Sequence, residues 1–221
     1  MFAVALVTCL LVPPAPVSAE PRLPADAEAL VKALNDADAA KRLAAIRSLG
    51  FKSQTVRRTA GTRDQIGKPF DAAVPGLVPH LVRALEMDAS DENRAELVTA
   101  LADTRAPEAV AALRKGLGDK SATVRLAAAC ALTEFDDATG IAEMKKGLAR
   151  LRASADWPAV GAYEVQRLLA AFERVTGKSM GELPPNPYTA SNVEAAEKNR
   201  KRYRELMAAW DEWWNWKPAA K

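Results

Sequence analysis

Histidine and cysteine, which often serve as bases, nucleophiles and metal ligands, are rare in this 221-residue chain. His80 is the sole histidine, which excludes a His-rich metal site and leaves a Ser-His-Asp triad only if Ser and Asp converge on it. Cys130 lies in the apolar run LAAACAL, so we expect a small buried core residue rather than a nucleophile. The acidic pair Asp136 and Asp137 suits a turn or helix cap better than acid–base catalysis. The sequence therefore predicts no catalytic residue, no metal site and no cofactor.

The segment TGKS at residues 176–179 ends like a phosphate-binding loop. Such a loop needs a glycine five positions before Gly177, a preceding strand and a following helix, so that backbone N–H groups surround the phosphates. Phe172 occupies that position, a helical pattern precedes the segment and prolines follow it. We therefore expect a helix that ends at Gly177 with left-handed backbone.

One arrangement of charged residues recurs along the chain: Asp, five residues, Arg, six residues, Leu. The three copies are Asp36, Arg42, Leu49; Asp88, Arg94, Leu101; and Asp119, Arg125, Leu132. A degenerate fourth copy keeps Asp156 and Leu169 but has Ala162 in place of the arginine. Each Asp can accept hydrogen bonds from free N–H groups at the start of a helix. Each Arg can reach such a carboxylate in its own or a neighbouring unit.

Short helical patterns flank these aspartates. Before the turn, apolar residues recur at i, i+3, i+4 and i+7, as in Val78, Leu81, Val82 and Leu85. After it, a second helical stripe follows, as in Leu126, Ala129, Cys130 and Leu132. A helical hairpin of this size cannot bury its apolar face alone, so the units must stack.

These units resemble the HEAT repeats of α-solenoid proteins, and the segment LGDKSATVRLAAACALTEF at residues 117–135 is the best copy. The resemblance covers about residues 26–177. It implies an all-α fold, a short right-handed solenoid of about four helical hairpins in which the Asp and Arg pairs form a structural ladder. An insertion at residues 51–70 separates the first copy from the second.

Two clusters of basic residues could bind a partner. The insertion carries Arg57, Arg58 and Arg63 and lacks the apolar periodicity of a packed hairpin, so we expect a mobile or partly helical excursion. The second cluster, at residues 198–204, lies near the C-terminus. Some α-solenoids of this broad family, including a group of DNA glycosylases, hold nucleic acid on a basic face. The net charge of +3 argues against that use here.

The segment WDEWWNW at residues 210–216 holds four of the five tryptophans. A helix over 193–217, after a Pro-rich linker at 178–192, aligns one apolar stripe: Tyr203, Leu206, Met207, Trp210, Trp213 and Trp214. Such a stripe is typical of a helix that caps a solenoid, and an aromatic ligand site is the alternative. Trp216 lies past the stripe and is a candidate partner contact. Some bacterial HEAT-like proteins resemble this chain in ending with Thr-Gly, a Pro-containing link and a W-x-x-W-W helix.

The N-terminal 19 residues carry no charge, run apolar from Phe2 to Val12 and end in Val17, Ser18 and Ala19. This pattern is typical of a secretory signal peptide, followed here by a linker at residues 20–25. Its removal would take Cys9 away and leave Cys130 as the lone cysteine. We therefore expect a periplasmic or secreted protein with no membrane span after signal removal.

These patterns predict an exported, monomeric, non-catalytic scaffold built on HEAT repeats that binds another protein. The alternative is a HEAT-like enzyme or nucleic-acid-binding module, similar to the DNA glycosylases or the chromophore lyases that share such repeats. A purely structural module is the third possibility. A convergent acidic or aromatic pocket would favour the enzyme, and a broad mixed surface the scaffold.

Overall fold

The computed structural model describes residues 23–59, 76–154, 162–185 and 192–215. Within these ranges the chain forms nine α-helices and no strand. The helices are α1 Ala25–Ala33, α2 Ala39–Thr59, α3 Leu77–Met87, α4 Asp91–Asp103, α5 Ala109–Gly116, α6 Ala122–Leu132, α7 Ile141–Ala153, α8 Ala162–Thr176 and α9 Val193–Asn215. A short 3-10 turn, Thr133–Phe135, follows α6.

The first eight helices pair into four hairpins: α1 with α2, α3 with α4, α5 with α6, and α7 with α8. The second helices of successive hairpins also pack on one another, α2 on α4, α4 on α6 and α6 on α8. We call these four helices the second-helix layer. The first helices α3 and α5 touch as well. The described part of the chain is therefore an all-α, short helical solenoid, as predicted.

Capping residues set where several helices begin and end. The Ser90 hydroxyl accepts a hydrogen bond from the Asn93 N–H at 3.3 Å, which satisfies a free donor at the start of α4. Acidic residues in the first turn of α4 complement the helix dipole. The predicted end at Gly177 is confirmed, because α8 ends at Thr176 and Gly177 has a φ of 66°.

Two apolar clusters fill the solenoid. The N-terminal core joins α1 to α6 and consists mainly of Leu, Val and Ala side chains. The C-terminal core joins α6 to α9 and adds the rings of Phe172, Tyr203 and Trp210. Helix α6 belongs to both cores, with Leu132 in the first and Cys130 in the second. Helices α4, α7 and α8 all pack against α6, so most residues of α6 are buried.

Helix α9 packs against α7 and α8. The Asn192 side chain caps it, since its Oδ1 accepts a hydrogen bond from the Ala195 N–H at 2.8 Å. The Tyr203 hydroxyl donates to the Pro184 carbonyl at 2.7 Å and ties α9 to the segment after α8. The residues that α9 buries in the C-terminal core are Tyr203, Leu206, Met207 and Trp210.

Two of the predicted segments are described in part. Helix α2 continues through Thr59, so the first part of the predicted insertion extends a repeat helix. Helix α9 is described to Asn215. The predicted signal peptide and residues 60–75 lie outside the described residues. Among the described helices, none combines the length and the apolar character needed to cross a bilayer.

Candidate functional site on the second-helix layer

The repeat arginines bind the aspartates of the following unit. Arg94 Nε donates to Asp119 Oδ2 at 2.8 Å and Nη2 donates to Oδ1 at 3.0 Å. Arg42 makes the same two bonds with Asp88, at 2.8 and 2.9 Å. The Nη1 group of Arg42 also donates to the Asp36 carbonyl at 2.9 Å. Each arginine thus joins its own turn to the next turn by charge-assisted, bidentate bonds.

Several donors converge on these aspartates and keep them ionised. Asp88 accepts hydrogen bonds from the Ser90 N–H at 2.9 Å and from the Asn93 amide at 3.0 Å. Burial opposes ionisation of Asp88, but these bonds and those from Arg42 outweigh burial and lower its pKa to about 2. The pKa of Asp119 is also lowered, mainly by its arginine partner.

Arg125 departs from the predicted ladder. Its Nε donates to Glu143 Oε1 at 2.8 Å, and its Nη1 donates to the Asp119 carbonyl at 2.9 Å. The prediction of an aspartate partner for Arg125 was wrong. Glu143 lies in the first turn of α7, and the short link after α6 brings that turn within reach. The predicted fourth-copy Asp156 lies outside the described residues.

Asp137, which was expected to be a turn or cap residue, accepts a turn hydrogen bond and also forms a link that the repeat pattern did not predict. Arg114 Nε donates to Asp137 Oδ2 at 2.7 Å, and Asp137 Oδ1 accepts from the Thr139 N–H at 2.9 Å. Hydrogen bonds from Thr139 are the main reason that the pKa of Asp137 is lowered. A signal was available, because Asp88, Asp119 and Asp137 all stand two residues before a Ser or Thr whose N–H they accept.

A groove of about 470 Å³ crosses the second-helix layer, and we call it the second-helix groove. Helix α6 lies between α4 and α8 and contributes Leu126, Ala127 and Cys130 to the lining. Helix α4 adds polar residues from Asp91 onward, and α2 adds Arg47. Helices of four successive hairpins therefore form one surface.

Charged side chains in the groove are partly paired with one another. Arg47 is 3.0 Å from Glu96 and 3.3 Å from Glu92. Arg167 Nη1 donates to the Thr99 hydroxyl at 2.7 Å and links α8 to α4. The lining holds four carboxylates against two guanidinium groups: Asp91, Glu92, Glu96 and Glu164 against Arg47 and Arg167. A nucleic-acid site needs an excess of basic residues, and this lining has an excess of acidic ones.

Tyr163 is the exposed aromatic residue of the groove. Tyr163 is 55% exposed, and the Arg167 guanidinium lies 5.8 Å from the centre of its ring. Cys130 is buried as predicted, and burial raises the pKa of its thiol to about 12, so it is a poor nucleophile. His80, expected on a solvated flank, is exposed on α3 and does not line the groove. Across the described residues, no group of three His, Cys, Asp or Glu could hold a metal ion.

Another groove, distinct from the second-helix groove and of about 660 Å³, lies along α3 and α5. Part of its polar lining joins the repeats, because Asp88, Arg94 and Asp119 are ladder residues. Another part is paired, since Lys115 is 2.7 Å from Glu86. None of the ladder residues lines the second-helix groove. A ligand can therefore bind in the second-helix groove without competing for the bonds that join the repeats.

The tryptophans of α9 extend the C-terminal core. The Trp210 ring lies 5.1 Å from that of Phe172, and the Trp214 ring lies 5.5 Å from it. Trp213 and Trp214 are partly buried, with ring centres 4.5 Å apart. The Lys145 ammonium stands 4.2 Å from the Trp214 ring centre. This packing suits a helix that covers the last hairpin better than an open aromatic ligand site.

The predicted partner contacts lie in or beyond the ends of two helices, α2 and α9. Arg57 and Arg58 lie within α2, near its end. Arg63 and Trp216 lie outside the described residues.

A comparison with known protein families supports the repeat assignment. Residues 78–159 match the family model of HEAT repeats. This range begins in α3 and extends beyond α7, and it contains the second and third Asp–Arg units. No curated protein sequence matches the chain.

Proposed function

Because residues 78–159 match HEAT repeats, we propose that the chain is a non-catalytic scaffold that binds another protein through its second-helix layer. Stacked helical hairpins present side chains from several repeats on one continuous surface, and repeat proteins bind partners with such surfaces. The observation that carries the proposal is the second-helix groove. It takes its lining from four helices and uses none of the ladder residues.

The chemistry of the groove supports a protein partner. Protein interfaces combine apolar contact with polar groups and are enriched in Tyr and Arg. The groove contains Tyr163, Arg47 and Arg167 beside the apolar Leu126 and Ala127. Its arginines are engaged with neighbouring side chains of the groove, which makes this a mixed recognition surface rather than a pocket that converges on one reacting atom.

A crosslinking experiment tests this proposal. A photo-crosslinking amino acid would replace Thr123, which lines the second-helix groove, or Ala111, which lines the groove over α3 and α5. In the native host, the Thr123 variant should give a protein adduct that mass spectrometry identifies, and the matched Ala111 variant should not. The scaffold proposal fails if Thr123 gives no protein adduct, or if both positions give the same set of adducts.

We propose in addition that the protein is exported. The support is the uncharged, apolar N-terminal segment that ends in Val17, Ser18 and Ala19. Cys130 is buried in the C-terminal core, so the exported chain would carry no exposed thiol among its described residues. A tagged protein recovered from the cell envelope should have a mass that corresponds to a start at Glu20. Recovery of the uncleaved chain from the cytoplasm would contradict export.

A further inference from the structure

We infer that the second-helix groove selects a partner segment that places Lys or Arg side chains next to an aliphatic side chain. The inference rests on the proposed function and adds the chemistry of the segment that fills the groove. Three features of the lining support it. The two guanidinium groups already have partners, two carboxylates have no close cation among the described residues, and α6 contributes apolar side chains.

The guanidinium groups of the groove already have partners. Arg47 lies within 3.3 Å of both Glu92 and Glu96. Arg167 donates to Thr99 at 2.7 Å. An acidic partner segment would have to displace these bonds and would meet the surplus of carboxylates in the lining. Like charges brought together in an interface oppose binding, so the groove discriminates against acidic segments.

Two carboxylates of the groove have no cation within hydrogen-bonding distance among the described residues, and we call them weakly compensated. Both lie in the first turn of a helix, where the helix dipole also favours their ionised form. Among the described residues, Asp91 accepts from neutral donors, the Glu92 N–H at 3.1 Å and the Ser121 hydroxyl at 3.4 Å. Glu164 is 3.8 Å from Arg150, which is longer than a hydrogen bond. Ionised carboxylates have about four acceptor sites, so both retain capacity for an ammonium or guanidinium group. Asp91 belongs to α4 and Glu164 to α8, so the two helices that pack against α6 each offer one such carboxylate.

Apolar side chains of the lining come from α6, which packs against both α4 and α8. Leu126 and Ala127 of α6 contribute to the lining, and Tyr163 presents an exposed ring beside Glu164. A volume of about 470 Å³ falls within the range of pockets that hold small ligand groups. One aliphatic side chain of the partner can therefore enter over α6 while its basic neighbours reach Asp91 and Glu164.

Matched peptides test this inference by titration calorimetry with the full-length protein. The first probe is a short peptide in which two lysines flank a leucine, and its twins carry glutamine or glutamate in place of the lysines. We expect the lysine peptide to bind about tenfold more tightly than the glutamine twin, and the glutamate twin to show no binding. Added salt should weaken the lysine peptide most, since exposed charges are screened.

Single substitutions locate the effect. Asp91→Asn and Glu164→Gln should each weaken the lysine peptide by about three- to tenfold, because each removes one weakly compensated carboxylate. Glu86→Gln is the matched control, since Glu86 lies in the groove over α3 and α5, and it should leave the affinity unchanged. Circular dichroism confirms that each variant is folded, and these side chains are exposed or partly exposed, so the fold should tolerate the changes.

The outcomes separate this inference from the scaffold proposal. Equal or tighter binding of the glutamate twin would overturn the charge preference and leave groove binding intact. Unchanged affinity in both Asp91→Asn and Glu164→Gln would overturn the assignment of the carboxylates. If no peptide binds while the Thr123 crosslinker captures a protein, the inference fails and the scaffold proposal survives. If neither gives a signal, both fail.

Discussion

The two ends of this solenoid are held together by different physical means. From α2 to α6, bidentate bonds repeat with nearly the same geometry, Arg42 to Asp88 and Arg94 to Asp119, over a core of aliphatic side chains. From α7 to α9, large aromatic rings fill the core instead, with Phe172 and Trp210 5.1 Å apart. The Arg–Asp bond can form only where another repeat follows, because the aspartate belongs to the next repeat. The last hairpin is closed by a single helix of different sequence.

The border between the two regions lies at Arg125. This arginine keeps the bond to its own turn but takes Glu143 of α7 as its carboxylate. Desolvation offsets much of the attraction within a buried ion pair, so such a pair adds little net stability compared with apolar residues of similar volume. Burial of aromatic and aliphatic surface contributes directly to stability. The comparison therefore predicts that loss of α9 costs more than loss of any single rung.

Deletion of residues 193–221 tests the larger side of this comparison. It removes Tyr203, Leu206, Met207 and Trp210 from the C-terminal core and exposes the apolar faces of α7 and α8. We expect the melting temperature to fall by on the order of 10 °C or more, because the loss amounts to several kcal/mol. Light scattering should detect aggregation. A truncated chain that stays soluble and equally stable, but loses a ligand, would show that the tryptophans form a binding site.

Within α9, the position of each tryptophan predicts its contribution. Trp210 is buried, so Trp210→Ala should lower the free energy of unfolding by about 3–5 kcal/mol through lost burial and a cavity. Trp213 is partly exposed, so Trp213→Ala should cost less than half as much. Urea unfolding followed by circular dichroism measures both values. Equal losses for the two variants would mean that α9 packs in a different rotation.

The ladder arginines should differ in the same graded way. The Arg94 side chain is 6% exposed, so Arg94→Ala leaves a largely desolvated Asp119 and should cost about 3–5 kcal/mol. The Arg125 side chain is 29% exposed, so Arg125→Ala should cost about 1.5–3 kcal/mol. Arg47→Ala is the control, since that side chain is 55% exposed and its pairs contribute less than about 1 kcal/mol. A loss below about 0.5 kcal/mol at Arg94 would make it an ordinary surface charge.

The regular part of the fold was accessible from sequence because the same local physics acts three times. Helical periodicity placed the hairpins, and the fixed spacing from Asp to Arg to Leu marked the turns and the helices after them. The stripe through Tyr203 and Trp210 identified the buried face of α9 for the same reason. Each of these features depends on residues within one or two helical turns of one another.

The remaining contacts join residues of different helices that are many positions apart in the sequence, so no local sequence pattern indicates them. Arg167 bonds to Thr99 across 68 positions, and this bond shapes the second-helix groove. No periodic pattern relates these two residues. The partner of Arg125 was also beyond reach, because it depends on the distance between α6 and the first turn of α7.

Acid should lower the free energy of unfolding by protonating the carboxylates that join the repeats. Asp88, Asp119, Asp137 and Glu143 have pKa values below their ordinary range in the folded chain. Their contribution is fully present above the unfolded pKa of about 4 and is lost as pH falls toward the folded values. Asp88, with a folded pKa of about 2, should account for about 2 kcal/mol of this loss. The measurement is the free energy of unfolding in urea from pH 7 to pH 2.

The matched variant for this pH dependence is Asp88→Asn. It should be less stable than the natural chain at pH 7 and should lose less stability on acidification, because one depressed carboxyl group is gone. The pH profile of Trp210→Ala should keep the natural slope, since that substitution changes no ionisable group. A flat profile down to about pH 2.5 would show that the rungs do not hold their carboxylates ionised.

The smallest expected effect lies where a charge touches the aromatic core. The Lys145 ammonium stands 4.2 Å from the Trp214 ring, so Lys145→Gln should lower the free energy of unfolding by about 0.5–1 kcal/mol. Lys178 is 5.8 Å from the Trp213 ring, so Lys178→Gln should cost less. A double-mutant cycle with Trp214→Leu isolates the pairwise contribution. Because the rings attract a cation through their π-electrons, Lys145→Gln should have no effect on stability once Trp214 is replaced by Leu. A loss of stability that persists in the Trp214→Leu background would mean that Lys145 stabilises α7 itself, and that apolar burial alone closes this end of the solenoid.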